Sequence, residues 1–151
     1  QYDAALASFE LSLEMKRELQ AGEDDDESVA ATLGSMGQVY KEQGKLEVAA
    51  DYLQRSLAIT RARLGEQHPE VATTLNNLGL VCKKQGNLDL ALEHLQKALE
   101  ITQATLGEAH PDVASSLNNI GNVYREQEKL DLALEHYEKC LAIEQATLGE
   151  A

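Results

Sequence analysis

The sequence predicts an all-α fold of antiparallel helix pairs in tandem, about seven helices and no strand. Three observations carry that expectation. Residues 68–109 return as residues 110–151, a period of 42 with roughly two thirds of positions identical, far beyond chance for unrelated segments. Apolar residues recur at steps of three and four, and no stretch alternates with the period of two that a strand needs. Glycine and His-Pro stand where such helices would stop and start.

Composition allows this fold and excludes several functions. A length of 151 residues ordinarily suggests one domain, but a tandem array has a line of interfaces in place of a single centre. Hydrophobic residues make up 43%, enough for a packed core, and the formal net charge is −13. Phosphate binding needs a basic face, so nucleic acid is not expected as the main partner. Anionic membrane surfaces are disfavoured for the same reason. No apolar run reaches the length of a membrane span and no signal peptide opens the sequence, which starts in mid-repeat and reads as a piece of a longer array. Cys82 and Cys140 lack the short spacing of a zinc site and fall where the helix pattern calls for burial. Two reduced core thiols are expected, which fits a cytoplasmic setting. No metal or cofactor is predicted.

Each element follows from local chemistry. Residues 1–20 read as one helix, with Tyr2, Ala5, Leu6, Phe9 and Leu13 at helical spacing. Ala5 aligns with Ala49, Ala91 and Ala133, so this is the second half of a repeat whose first half is absent. Residues 21–28 then carry five consecutive acids, Glu23 to Glu27, in a junction two residues longer than the others. The alternating ligands of a calcium loop are missing. A solvated loop is expected, its last acids favouring the positive N-terminus of the next helix. Residues 29–43 and 45–63 form the next pair, with Gly44 as a left-handed stop between them and Gly65 ending the second. His68-Pro69 and His110-Pro111 start the following first helices, because proline at the first helical position loses no hydrogen bond. The remaining helices are 69–85, 88–105, 111–127 and 130–147. Glu128 stands where the turn glycine should be, so that turn is expected to be strained or differently wound.

In the middle copy the first helix carries Val71, Leu75, Leu78 and Cys82 on one stripe, with Gly79 on the same side where a neighbouring helix can approach closely. The second helix answers with Leu88, Ala91, Leu95, Ala98 and Leu99. Leu117, Ile120, Gly121 and Tyr124, then Ala133 and Tyr137, with Cys140 in place of the final alanine, resemble the tetratricopeptide repeat (TPR) pattern. The 42-residue length, the Leu-Gly-Glu-x-His-Pro-x-Val-Ala junction and the Leu-Asn-Asn core are similar to the kinesin light chain and nephrocystin-3 type of TPR. The resemblance implies a right-handed superhelical solenoid with the first helices lining its concave side. It divides the chain as one array: 1–25 the second helix of a truncated repeat plus the acidic loop, then repeats at 26–67, 68–109 and 110–151.

The candidate binding face follows from helical geometry. Opposite the core stripe of the middle copy lie Thr73, Asn76, Asn77, Leu80, Lys83 and Lys84. The last copy places Ser115, Asn118, Asn119, Asn122, Arg125 and Glu126 there, and the first copy includes Gln38 and Lys41. Lys41, Lys83, Lys84 and Arg125 outnumber Glu42 and Glu126, so this arc is mildly positive in an acidic body. That suits an extended, neutral-to-acidic segment, although cations in last helical turns also suit the helix dipole. Asparagine amides match the donor and acceptor pattern of a peptide backbone and are poor helix formers. The resemblance implies that Asn77 and Asn119 grip ligand main chain. Asn76 and Asn118 are weaker candidates, and one of each pair could instead bond to the neighbouring repeat. Leu80 could anchor an apolar ligand residue or pack on a neighbouring helix. A clamp for a free carboxylate would need bases where Ser115 and Asn119 stand.

Catalysis is not expected. The four histidines, His68, His94, His110 and His136, are spaced by repeat and do not converge, and His94 and His136 read as exposed surface. No phosphate loop, HExxH or nucleophile elbow is present. Two functions remain: an adaptor or scaffold module that binds an extended segment of another protein, or a structural spacer whose array ends self-associate.

Overall fold

The computed structural model describes the backbone of residues 1–18 and 23–149, and the side chains of 1–14 and 26–149. Seven helices are present among the described residues: α1 (Tyr2–Glu18), α2 (Glu23–Glu42), α3 (Leu46–Leu64), α4 (Pro69–Lys84), α5 (Leu88–Leu106), α6 (Pro111–Glu126) and α7 (Leu130–Gly149). No strand occurs among them. The chain forms two compact units, Gln1–Glu66 and Gln67–Ala151.

In the first unit α1 packs on α2, and α2 pairs with α3. Leu6 and Leu13 of α1 meet Leu33 and Met36 of α2 in one cluster. The Gln43 amide donates to Asp3 at 3.4 Å. Gln127 donates to Asp89 in the second unit at 3.0 Å, the same bond further along the repeat. That bond fixes α1 as a second-half helix. Ala5 and Phe9 are only half-buried, whereas their counterparts Ala49 and Leu53, and Ala91 and Leu95, are fully covered by a paired first helix. The acidic run differs from expectation. Glu23 to Glu27 open α2 and form no loop. Carboxylates in a first turn face the positive end of the helix dipole, so five acids extend the helix backwards from the apolar pattern at Val29. Residues 19–22, including Gly22 and the predicted end of the first helix, lie outside the described residues.

In the second unit α4 pairs with α5, α5 packs on α6, and α6 pairs with α7. Val71, Leu75, Leu78, Gly79 and Cys82 are buried as their spacing predicts, and Ala72 and Val81 join them. Cys82, Ala91, Leu95, Ile120 and Val123 share one cluster, which spans α4, α5 and α6. Val113, Ala114 and Leu117 bury themselves with Cys140 of α7 in another. Both cysteines are free and buried, and burial pushes their thiols up, the nearby Glu144 adding to the effect at Cys140.

Close approach is built from glycine. A Cβ on Gly79 would lie 2.6 Å from Leu95 Cγ, and one on Gly121 2.7 Å from the Tyr137 ring. The His-Pro starts carry a detail beyond the proline. The Glu70 N–H donates to His68 Nδ1 at 3.2 Å, and the Asp112 N–H to His110 Nδ1 at 3.1 Å. The histidine is thus the N-cap, which satisfies a donor that has no partner within the helix. Glu128 adopts φ 61°, the conformation that Gly44 and Gly86 adopt at the equivalent turns. The Glu128 N–H donates to the Arg125 carbonyl and the Lys129 N–H to that of Tyr124, as Gly86 and Asn87 donate to Lys83 and Cys82, so the turn is wound identically and the strain stays local.

Candidate functional site

Among the first helices of the second unit, α4 and α6 lie side by side. Their seam is marked by contacts between residues 43 apart. The Asn119 amide donates to Asn76 Oδ1 at 3.1 Å. Two turns further on, Lys83 Nζ meets Glu126 at 3.5 Å. Two turns in the other direction the same stagger brings Pro69 opposite Asp112, a pair with no hydrogen bond to make. There the seam opens into a cleft of about 240 Å³, lined on α4 by Thr73 and Asn76, on α6 by Asp112 and Ser115, and walled by Thr102, Thr105 and Leu106 at the end of α5. A related cleft lies one repeat on, between Pro111, Ala114 and Ser115 of α6 and Glu144, Thr147 and Leu148 of α7.

The predicted site residues fall into distinct groups on this face. Asn76, Asn77, Leu80 and Lys83 are half-buried on α4, and Lys84 is exposed at its end. On α6, Asn118 and Arg125 are exposed and Asn119 and Asn122 half-buried. Asn77 and Asn118 make no hydrogen bond among the described residues. Asn119 has spent one amide proton on Asn76, so the alternative role of bonding to a neighbouring repeat is realised here. Each of the two still holds free capacity: Asn119 its oxygen and a second proton, Asn76 both protons. Asn122 accepts from the Tyr137 hydroxyl at 2.6 Å, within its own helix pair. The middle copy has Leu80 and Leu95 at these two places, an apolar pair where the last copy has a polar one. In the first unit Gln38 and Lys41 are half-buried on α2, and Lys41 has a partner.

Two histidines depart from expectation. His94 and His136 are half-buried. The His136 ring packs against Tyr124 with centroids 5.2 Å apart, and its Nδ1 meets the Leu132 carbonyl at 2.8 Å. A side chain on a second helix reaches the neighbouring first helix there, which spacing along one helix does not reveal. Among the described residues no group of three histidine, cysteine or acidic side chains is placed to hold a metal ion. No helix among them is long and apolar enough to cross a membrane.

The model for the tetratricopeptide repeat matches residues 1–62, 28–101 and 70–146, which together span nearly the whole chain. The chain belongs to the tetratricopeptide-repeat family. Its TPR helices superpose on the crystal structure of BtubC (BKLC) from P. vanneervenii with a TM-score of 0.86 and 27% identity, over 96% of this chain and 56% of that one. The chain thus spans little more than half the length of that protein. Nearly identical TPR-like repeats of the kinesin light chain type from Podosopora anserina align at TM-score 0.73 and 22% identity, over 95% of this chain and 68% of theirs. The TPR domain of Arabidopsis FLU aligns at 0.71 and 16%, over 80% and 98%. The last two likenesses show the fold alone. Comparison with curated protein sequences yields no match. TPR arrays are in general protein–protein interaction modules.

Proposed function

We propose that this chain is a non-catalytic adaptor or scaffold module that binds an extended segment of another protein across the first helices α4 and α6. The observation that carries the reading is Asn77: a half-buried amide in mid-helix with no hydrogen bond among the described residues, on the face that also holds Asn76 and Asn119. An amide gives a peptide group both a donor and an acceptor. In a helix interior it costs a few tenths of a kcal/mol relative to alanine, and no hydrogen bond among the described residues repays that at Asn77. Acidic side chains of the segment would face Lys84 and Arg125, which are exposed at the ends of α4 and α6; Lys83 is partly occupied by Glu126. Leu80 supplies the apolar contact. The buried, reduced thiols fit a cytoplasmic protein.

The test is selection of a random extended-peptide display library on the wild-type chain, followed by affinity for the Asn77→Ala variant. Losing one amide contact is worth about 0.5–1.5 kcal/mol, so affinity should fall roughly three- to tenfold with the melting temperature unchanged or slightly raised. Unchanged binding would sink the proposal. The spacer reading keeps one specific support, the exposed leucines of α7, and its test is reversible association of the chain in solution.

A further inference from the structure

We infer that the cleft between α4, α6 and the end of α5 receives a basic side chain, arginine before lysine, from the bound segment. The inference rests on the peptide-binding reading of this face and adds a specificity that reading lacks. The first argument is the distribution of protons. The Thr73, Thr102 and Thr105 hydroxyls each donate to a carbonyl of their own helix, Pro69, Ala98 and Ile101, at 3.2, 2.8 and 2.7 Å. Their single protons are spent, so these hydroxyls face a ligand as acceptors only. Asp112 adds a carboxylate. His110 Nδ1 lies 3.8 Å from it but accepts the Asp112 N–H, so that ring nitrogen has no proton to give and leaves the carboxylate charge free. The C-terminal end of α5 contributes the negative end of its dipole, and α5 has no base in its last turn. A guanidinium offers five donors and no acceptor, which these acceptors and the hydroxyl lone pairs of Ser115 and Ser116 in the same lining can meet.

The second argument comes from the chain itself. Position 105 corresponds, one repeat earlier, to Arg63. There the last turn of α3 carries Arg61 and Arg63, and Arg63 reaches Glu27 of α2 at 3.3 Å. In the first unit an internal guanidinium thus joins the end of the second helix to an acid at the start of the first. In the second unit threonine replaces it, the carboxylate comes from α6, and the space is open. The related cleft beside α7 repeats the pattern, with Thr147 at the arginine position and Glu144 as the acid. Asn76, its oxygen held by Asn119, keeps its protons for a main-chain carbonyl of the same segment.

The experiment titrates the chain with the capped pentapeptide Ala-Ala-Arg-Ala-Ala and follows backbone amide shifts. The matching peptide with citrulline, which keeps the shape and loses the charge, is the control. The arginine peptide should shift the amides of Thr73, Thr105 and Asp112 saturably and bind at least about tenfold tighter than the citrulline peptide. Thr105→Arg should abolish that binding, since it places a guanidinium of the chain's own at the mouth of the cleft, from the helix position that Arg63 holds in α3. Asp112→Asn should weaken it several-fold, and added salt should weaken it in the wild type. Equal shifts from both peptides, no saturable shift in the millimolar range, or undiminished binding to Thr105→Arg and Asp112→Asn would each overturn the inference. Arginine binding that persists while the peptide library yields nothing would remove the Asn77 reading and leave this one standing.

Discussion

Gly34 and Gly79 both stand inside helices, yet the space around them assigns them opposite roles. A Cβ on Gly34 would meet only Ser56 Oγ, at an ordinary 3.5 Å. Gly34→Ala should therefore collect the propensity gain of up to about 1 kcal/mol and raise the melting temperature. On Gly79 the same Cβ lies 2.6 Å from Leu95 Cγ and 3.2 Å from the Ala91 carbonyl. Overpacking there costs about 1–3 kcal/mol and outweighs propensity, so Gly79→Ala should melt earlier and Gly79→Leu earlier still. Thermal denaturation of the three variants decides it; a stabilised Gly79→Ala would mean that the helix pair is looser than this geometry. Glu128 offers the reverse test. Its φ of 61° is the left-handed region where a side chain is strained by about 1 kcal/mol. Glu128→Gly should therefore raise stability by about that much, read as a shift of the denaturation midpoint, and no gain would show that the loop tolerates the strain.

At the scale of helices, the α4–α6 seam separates amides that hold the fold from amides left for a ligand. Asn119→Ala removes the bond to Asn76 and should cost up to about 1 kcal/mol. Asn77→Ala should be neutral or slightly stabilising, because alanine is the better helix former. Chemical denaturation of both variants checks the contrast, and equal losses would make Asn77 part of the fold. Much of this was legible in the sequence. Pro69, Gly79 and the stripe from Val71 to Cys82 announce a helix, its start and its close contact, since each depends on neighbours within one repeat. The Asn119–Asn76 and Lys83–Glu126 contacts were not legible. Period 42 aligns Asn118 with Asn76, whereas adjacent first helices meet with a stagger of 43, a property of how two cylinders lie together. The helical acidic run was missed for a related reason: Glu23 to Glu27 carry no apolar period, and what favours helix there is the field of the turn that follows.

For the whole molecule, the balance lies between an uncovered apolar surface and a strong like charge. In α5, Leu88, Leu92 and Leu99 are half-buried, with α6 packed against the helix. Their counterparts in α7, Leu130, Leu134 and Leu141, are 59%, 57% and 51% exposed. Burying apolar area is worth about 25 cal/mol per Å², so two copies gain by covering this face end to end. Each copy also carries a formal charge of −13, and like charge opposes association. The Debye length is about 10 Å at 0.1 M salt and roughly 3 Å at 1 M, so salt removes the repulsion and leaves the apolar gain. The chain should be mostly monomeric at low salt and micromolar concentration, and associate reversibly as either salt or concentration rises. Sedimentation equilibrium across both variables gives the answer. Leu134→Glu with Leu141→Glu should hold the chain monomeric throughout without lowering its melting temperature, because both side chains already face water. Association that weakens with salt, or that survives the double substitution, would place the contact elsewhere and leave α7 as an ordinary solvent-facing helix.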